Sequence, residues 1–297
     1  LKLNRTMSLK RVFSFCGACI AFYIGAGFAT MQEVMQYEAS YGSEEHYHSV
    51  YEFYYLLSGS RRIFADGNLY NLNKGDLMLI PKNAMHHVTQ GSDKDFERIC
   101  IRFTDECIAP FVETFGEEKF NQMMETGVVN VPLNRRKDVE VCMNGIGDCL
   151  NTNDEFNSIQ IRNFVGLILV SYLRLKRAAT FAVPQDLKGV DKVIQKAASY
   201  IVEHYKENVT LKDVASYVNM SDTYFSKKFK ETTGFGFKEY LLALRIKHAC
   251  DMLLNTGFSI TEIAYSSGFN DSNYFGDVFK RIKGVSPLQY RKRQEYV

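Results

Sequence analysis

The sequence lacks a large net charge of either sign. Its 36 Lys and Arg residues nearly balance its 34 Asp and Glu residues, which leaves a formal charge of +2. This balance excludes a chain of extreme acidity or basicity and does not by itself indicate a partner. The charge is unevenly divided, because 16 basic and 12 acidic residues lie from Gly189 onward, against 20 and 22 before it. A mildly basic C-terminal part is consistent with phosphate contacts.

The sequence also lacks the cysteine pattern of a disulfide-bonded or zinc-binding protein. Seven cysteines are an odd number in a chain of 297 residues, which argues against a disulfide framework and fits a reducing cytosol. Cys16 and Cys19 form a CxxC motif, but it lies in an apolar run and no second pair follows. We therefore predict a cytoplasmic protein without a cofactor.

Two similar segments occur near the C-terminus, about 50 residues apart. In the later one, two apolar stripes with helical spacing flank Gly268, which can supply a sharp turn. Two short helices joined by such a turn form a helix-turn-helix motif, whose second helix can enter the major groove of DNA. A shared period indicates a duplicated motif. The matching positions, 50 residues apart, are Tyr224 and Tyr274, Phe229 and Phe279, and Gly234 and Gly284.

The second copy has a longer and more specific pattern. It reads RIKHA at 245–249, ITEIA at 260–264, SNYF at 272–275 and GVSP at 284–287. On these residues, the region from about 190 to 293 resembles the DNA-binding domain of the AraC/XylS family of bacterial transcriptional regulators. In that family a long helix joins the two motifs, and here it would run from about Phe237 to Leu254.

The resemblance implies a DNA-binding transcription regulator rather than an enzyme. Double-stranded DNA, read in the major groove, is the expected partner, and RNA polymerase is a further candidate. A recognition helix presents exposed residues near its N-terminus to base edges, and Ser221 is the predicted N-cap of the first one. Tyr224, Phe225 and Phe229 are expected inside. The candidate DNA-binding residues are then Thr223, Ser226, Lys227, Lys228, Ser272, Asn273, Asp277 and Arg281.

Two residues of the second recognition helix depart from the family pattern. Gly276 and Asp277 stand where relatives often carry a larger or basic residue. Glycine costs roughly 1 kcal/mol in a helix interior. Aspartate can accept a hydrogen bond from cytosine N4 but is repelled by phosphate. The second motif is therefore expected to read fewer bases than the first.

Residues 37–104 have the pattern of short strands separated by turns. Turn sequences include Asp66-Gly67 and Lys74-Gly75, and strands at such spacing are typical of a small barrel or jelly roll. The residues resemble the two motifs of the cupin superfamily, with Asn83 in place of a usual glycine. The matching positions are His46, His48, Glu52 and Gly59, then Gly75, Pro81 and His86.

The cupin resemblance leaves two interpretations of the histidines and Glu52. In cupin enzymes the matching residues bind a metal, and three imidazoles with a carboxylate suit a divalent transition metal. Sensor domains joined to AraC-type DNA-binding domains often keep the pattern without a metal. We favour a sensor without a metal that binds a small polar effector, such as a sugar. Its expected contacts are His46, His48, Glu52, Tyr54 and His86.

The predicted fold class is α+β. An N-terminal cupin-like β-barrel is followed by a helical region at 105–177, a linker at 178–189 and an all-α domain at 190–297 with two helix-turn-helix motifs. By family resemblance the helices at 105–177 form a homodimer interface; the alternative is that they only cover the barrel. Residues 1–36 belong to neither domain, and their uncharged stretch from 12 to 32 could just span a bilayer. An over-extended start, with Met7 or Met31 as the true one, and a buried local helix are the alternatives.

Overall fold

A computed structural model of the protein describes residues 19–24, 48, 50–90, 96–178 and 189–294. They form two compact units. The first unit contains the described residues up to 178, except residues 64–69. The second unit contains residues 64–69, which form a turn, and residues 189–294. The first unit combines sheets and helices and the second is mainly helical, so the predicted α+β class is confirmed.

The strands of the first unit form two sheets. A five-stranded sheet has the order β1-β7-β2-β5-β8, and a three-stranded sheet has the order β4-β3-β6. Within the described residues the strands do not form a single closed barrel. The strands are β1 (Cys19–Ile24), β2 (Tyr51–Ser58), β3 (Ser60–Ala65), β4 (Asn68–Asn73), β5 (Asp76–Ile80), β6 (His86–Gln90), β7 (Glu97–Phe103) and β8 (Gly127–Asn130).

The segment predicted to be helical at 105–177 is mostly, but not entirely, helical. One short part of it, β8, pairs antiparallel with β5 in the register Asp76 to Asn130, and the Asn130 side chain donates to Asp76 at 2.6 Å. An exclusively helical prediction was therefore wrong for four residues. The helical parts are a 3-10 turn (Asp105–Cys107), α1 (Ala109–Phe115), α2 (Glu117–Met123), α3 (Leu133–Leu150) and α4 (Asn157–Ala178).

The two faces of β2 have different environments because successive side chains of a strand point to opposite sides. Tyr51, Phe53 and Tyr55 belong to the main apolar core, which also contains one stripe of α3 and one of α4. The α4 residues in this core have helical spacing and are Ile161, Val165, Ile168, Leu169 and Tyr172. Glu52 and Tyr54 therefore lie on the other face of the sheet.

The N-terminal segment contributes one described strand. Residues 19–24 form β1, which runs parallel to β7 with Cys19 opposite Arg98, so the local-helix interpretation was wrong for these six residues. The other residues of 1–36, including Met7 and Met31, lie outside the described residues. Among the helices that the structure describes, none is both long and apolar enough to cross a membrane.

The second unit contains both predicted helix-turn-helix motifs. The first consists of α6 and α7 and the second of α9 and α10, and α8 joins them over almost the predicted residues. The helices are α5 (Gly189–His204), α6 (Leu211–Tyr217), α7 (Asp222–Thr233), α8 (Phe237–Asn255), α9 (Ile260–Ser266), α10 (Ser272–Lys283) and α11 (Pro287–Gln294).

The apolar stripes of the two motifs pack as expected, with one exception. Phe225 and Phe229 of α7 are fully buried, as are Phe275 and Phe279 of α10. The expectation that Tyr224 is inside was wrong, because 45% of this residue is exposed. Its counterpart Tyr274, the other tyrosine of the repeat, is 44% exposed. Both tyrosines come one residue before a buried phenylalanine, which turns them by about 100° away from the core.

The turn between β3 and β4, residues 64–69, belongs to the second unit. The side-chain amide of Gln195 on α5 accepts from Leu69 N at 2.7 Å and donates to Gly67 O at 2.7 Å. Lys247 on α8 forms an ion pair with Asp66 at 2.6 Å. Phe64 packs edge-on against Tyr240, with ring centroids 5.5 Å apart. These contacts all lie within the second unit, to which the turn belongs.

Candidate functional site

The two recognition helices, α7 and α10, have matching ends. Ser221 caps α7 by accepting from Tyr224 N at 3.4 Å, as predicted, and Asp271 caps α10 by accepting from Tyr274 N at 2.7 Å. Each helix then runs for 12 residues and ends at a glycine in the left-handed conformation, Gly234 or Gly284. Because length and caps agree, residues 50 positions apart project in equivalent directions.

Most of the candidate DNA-binding residues lie on exposed helix faces. Six of the eight are exposed, whereas Lys228 and Ser272 are partly buried. On α7, the exposed face includes Thr223, Ser226 and Lys227, which line a surface groove of about 770 Å³ together with Lys230 and Glu231. Positions 223, 226 and 230, like positions 223, 227 and 231, are three or four residues apart, so these side chains share one helix face that a DNA groove can contact.

Lys228 and Lys227 have different surroundings. The Lys228 ammonium donates to Glu231 at 2.6 Å, and the Lys227 ammonium is 3.9 Å from the same carboxylate. The Lys227 side chain is 71% exposed and that of Lys228 is 32% exposed. The hydrogen bond with Glu231 raises the pKa of Lys228 above its usual range. Lys227 is therefore the more accessible of the two cations.

A second groove of the same unit contains Lys238 and Tyr274, which are not among the eight candidate DNA-binding residues. It has a volume of about 890 Å³, and its lining includes Ser226, Lys238, Arg245 and Tyr274. Arg245 is largely structural, because its guanidinium donates to Tyr205 O and Glu207 O, both at 2.8 Å. Lys238 and Tyr274 remain as additional candidates for DNA contact. The period of the repeat suggested Tyr274 as core, and only its exposure reveals the surface position.

In the first unit, two of the predicted effector residues, His48 and His86, lie beside a third, Glu52. His48 Nε2 lies 3.0 Å from the Glu52 carboxylate, and Arg102 Nε donates to the same oxygen at 2.8 Å. Arg102 is opposite Glu52 in the β2–β7 register, which fixes this contact. The His86 ring is 5.0 Å from that of His48. The structure thus brings together three of the five predicted residues and adds Arg102.

The other two predicted effector residues have different outcomes. Tyr54 lies on the same side of β2 as Glu52, and its hydroxyl accepts from Arg98 Nη1 at 3.4 Å. His46 lies outside the described residues. Asn83, which replaces the usual cupin glycine, adopts a positive φ of 60°, a conformation that asparagine tolerates better than most residues.

The ionisation of Glu52 follows from its neighbours. Burial alone would raise the pKa of this carboxyl group. The hydrogen bond with His48 and the charges of His86 and Arg102 outweigh burial and hold the pKa well below its usual range. Glu52 is therefore an anion that already accepts from two donors.

His48, Glu52 and His86 also have the types and spacing of the metal site that the cupin resemblance implies for enzymes. One ligand atom from each of these three residues lies within 4.8 Å of the others. His48 Nδ1 is 2.8 Å from Val50 O, which can only accept, so Nδ1 carries a proton. Nε2, which faces the Glu52 carboxylate, then donates to it in a metal-free site or offers its lone pair to a metal. Arg102 places a further cation beside the same oxygen.

Comparisons with known proteins agree with both parts of this description. Residues 214–293 match the family of helix-turn-helix domains, and residues 33–102 match the family of cupin domains. YisR of Bacillus subtilis, named as an uncharacterised HTH-type transcriptional regulator, is 25% identical over 253 residues, which cover 82% of this chain and 86% of that protein.

Two further similarities cover less of the other protein or of this chain. A regulator of Staphylococcus aureus strain MRSA252, with the same kind of name, is 25% identical over 80% of this chain, but this chain spans only 31% of its length. Among solved structures, the C-terminal domain of AraT, a response regulator from Geobacillus stearothermophilus, is 34% identical. The match covers 36% of this chain and 88% of that domain, with a TM-score of 0.35.

Proposed function

Because the chain belongs to the AraC/XylS family of transcriptional regulators, we propose that both recognition helices read specific DNA sequences under the control of a small polar effector. The protein is a DNA-binding transcription regulator with a cupin domain. The proposal extends this to sequence-specific reading by both motifs, to a ligand held by the first unit and to a regulator without catalytic activity.

The observation that carries the DNA proposal is the repeated, exposed polar face of α7 and α10. Thr223, Ser226 and Lys227 have no role in the core, and neither have Asn273 and Arg281. Hydroxyl, amide and cationic side chains are the groups that reach base edges and phosphates in the major groove. Two copies on one unit suit successive major-groove segments of a DNA duplex.

Lys227→Ala tests this reading of α7. If Lys227 contacts a guanine edge, the variant loses about 1–3 kcal/mol of binding free energy on the preferred sequence. If the ammonium contacts only phosphate, the affinity falls evenly on all sequences. Gel-shift titrations at fixed salt measure both, with Lys119→Ala on α2 of the first unit as the control. Unchanged affinity of Lys227→Ala on every DNA would contradict the assignment.

The effector proposal rests on the buried polar cluster of the first unit. Glu52 and His86 are almost fully buried, yet both lie beside further polar side chains on the sheet face opposite the apolar core. Burying charged groups costs free energy even when they are paired, so a buried cluster of this kind is more typical of a binding site than of a core. Small-molecule sites combine apolar walls with a few convergent polar groups.

A double variant, Glu52→Gln with His86→Gln, tests the effector site. We expect it to lose the ligand-dependent change in DNA binding while it keeps basal DNA binding. Thermal-shift measurements with a panel of sugars and other small polar molecules identify the ligand for wild type, and gel shifts then compare both proteins. Stoichiometric metal in wild type purified without added ions, absent from the double variant, would show that the cluster is a metal site instead.

The turn at 64–69 offers a route from the effector to the DNA-binding helices. It is joined through the chain to β3 and β4, and it is held by Gln195 and Lys247. A ligand that shifts these strands would also shift the turn and hence bias α5 and α8. The helices at 105–177 are a second candidate route by which the same ligand would act on the DNA-binding helices.

We also infer that the protein forms a homodimer through α4. Ile159 and Leu167 are 55% and 57% exposed, and their spacing of eight residues places them on one helix face. Exposed apolar side chains that share one helix face are candidates for an interface between copies of the chain. Sedimentation of wild type and Leu167→Glu measures the state: a dimer that becomes a monomer supports the proposal, and a monomeric wild type contradicts it. RNA polymerase is proposed as a partner on family grounds alone.

A further inference from the structure

The equivalent exposed positions of α7 and α10 carry opposite charges. Position 227 is Lys in the first motif and its counterpart 277 is Asp in the second. Four residues later, Glu231 is replaced by Arg281. All four residues are exposed. The two recognition helices therefore present the same pair of charges, four residues apart, in reverse order.

This equivalence is structural as well as numerical. The helices have the same length, the same type of N-cap contact and the same left-handed C-cap. Phe225 and Phe275, which are equivalent, are both fully buried and fix the rotation of each helix on its motif. When each recognition helix enters the major groove, the side chains at positions 227 and 277 therefore face the DNA in the same way.

The charge reversal decides what this position faces. A carboxylate that faced a phosphate would be repelled, so Asp277 cannot occupy a phosphate-facing position in a stable complex. By equivalence, Lys227 does not occupy one either. Lys230 and its counterpart Lys280 are both exposed cations and suit phosphate instead. The side chains at positions 227 and 277 therefore face the base edges.

From these observations, and resting on the proposed function, we propose that Lys227 and Asp277 each contact a base edge and select opposite bases. Lys227 donates to the O6 and N7 acceptors of a guanine, and Asp277 accepts from the N4 amino group of a cytosine. The target is then two different boxes in successive major-groove segments, with guanine in one at the position where the other has cytosine. Asp277 then determines the base preference of the second motif, and its replacement of a basic residue is not merely the loss of a DNA contact.

Selection of DNA from a random pool by the full chain tests this proposal. Wild type is expected to enrich two boxes about one helical turn apart, with guanine and cytosine at the equivalent positions on one strand. Asp277→Lys should change the preferred base of the second box from cytosine to guanine by about fivefold or more and leave the first box unchanged. Since Asp277 is exposed, folding should be unaffected, which circular dichroism checks.

Two further variants separate base reading from general electrostatics. Asp277→Asn has nearly the same shape and should lose the cytosine preference without gaining one for guanine. Lys280→Gln should lower the affinity for all sequences and reduce the salt dependence by about one phosphate contact, with no change in base preference.

Three results would overturn the proposal. The first is the same enriched base in both boxes, and the second is an unchanged preference in Asp277→Lys. The third is an Asp277→Lys variant that binds all DNA more tightly by an equal factor. A wild-type chain that enriches no sequence at all would instead contradict the proposed function, so the two failures are distinguishable.

Discussion

The two helix-turn-helix motifs share a buried frame and differ in their turns and surfaces. Both turns contain the same hydrogen bond, from Met220 N to Ala215 O in the first and from Phe269 N to Ala264 O in the second. The second turn is one residue longer before its N-cap, because α10 begins 50 residues after α7 whereas α9 begins only 49 after α6. The buried residues of the two motifs are therefore alike, whereas their solvent-exposed residues differ.

The difference teaches that stability and recognition are separately encoded in each motif. The core positions require apolar residues of fixed size because interiors are close-packed. The exposed positions carry no such constraint, so a charge can reverse there at little cost in stability. Four predictions test this contrast. They concern the turns of the two motifs, a buried histidine beside the second turn, the N-caps of the recognition helices and a glycine inside α10.

The largest expected effect concerns the turns. Gly268 has a φ of +90°, and a Cβ there would lie 2.7 Å from Tyr205 O and 2.9 Å from Lys206 Cα. The equivalent residue of the first turn is Asn219, with a φ of 55°. We expect Gly268→Ala to lower the free energy of unfolding by about 3 kcal/mol, and Asn219→Gly to change it by less than about 1 kcal/mol. Urea denaturation of the full chain measures both; equal effects would refute the contrast.

The second prediction concerns acid sensitivity beside the second turn. His248 stacks on Tyr205 with ring centroids 4.2 Å apart, and burial, with Lys247 and Lys206 nearby, lowers the pKa of His248 to about 4. The folded state therefore excludes a proton that the unfolded state takes up below about pH 6.5. Stability should fall as the pH drops from 7 to 5, by about 1.5 kcal/mol after allowance for partial exposure.

Urea denaturation of wild type and His248→Gln at both pH values isolates this contribution. The variant should lose less stability on acidification than wild type does, because it has no imidazole to protonate. An equal loss in the two proteins would mean that His248 is already protonated or is solvated in the folded state.

The third prediction concerns the N-caps of the recognition helices. Asp271 accepts at 2.7 Å and adds a negative charge to the helix N-terminus, whereas Ser221 accepts at 3.4 Å. We expect Asp271→Ala to cost about 1 kcal/mol of stability and Ser221→Ala about half of that. Thermal unfolding compares the variants, and a larger cost for Ser221→Ala would reverse this ranking.

The smallest expected effect concerns the interior of α10. A Cβ at Gly276 would meet nothing within 4 Å, so packing gives no reason for a glycine there. Gly276→Ala should stabilise the protein by about 0.5–1 kcal/mol, because alanine has the higher helix propensity. The equivalent substitution in α7, Ser226→Ala, should change stability by less than about 0.5 kcal/mol. Denaturation curves that show Gly276→Ala to be destabilising would contradict this.

Local signals in the sequence predicted much of the helical unit. The joining helix was expected from Phe237 to Leu254 and is found to end at Asn255. A capping box is present at Ser286, because its amide donates to the Gln289 side chain at 3.0 Å and its hydroxyl accepts from Gln289 N at 3.3 Å. Such features depend on residues three or four apart, which the sequence displays directly.

The candidate effector site could be predicted only in part. The sequence motif identified His48, Glu52 and His86, which the structure brings together. It did not identify Arg102, which comes 50 residues after Glu52 and reaches it only because β7 pairs with β2. Arg102 gives one carboxylate oxygen of Glu52 a cationic partner that the sequence motif does not include.

The sequence by itself determined the duplicated motif, its turns and its caps, because these follow from helical periodicity and from residues that are close in the chain. Only the tertiary structure decided the pairing of β8 with β5, the partner of Glu52 and the exposure of Tyr274. The physical reason is the same in each case. Strand partners, ion-pair partners and burial depend on which distant segments meet, and periodicity carries no information about that choice.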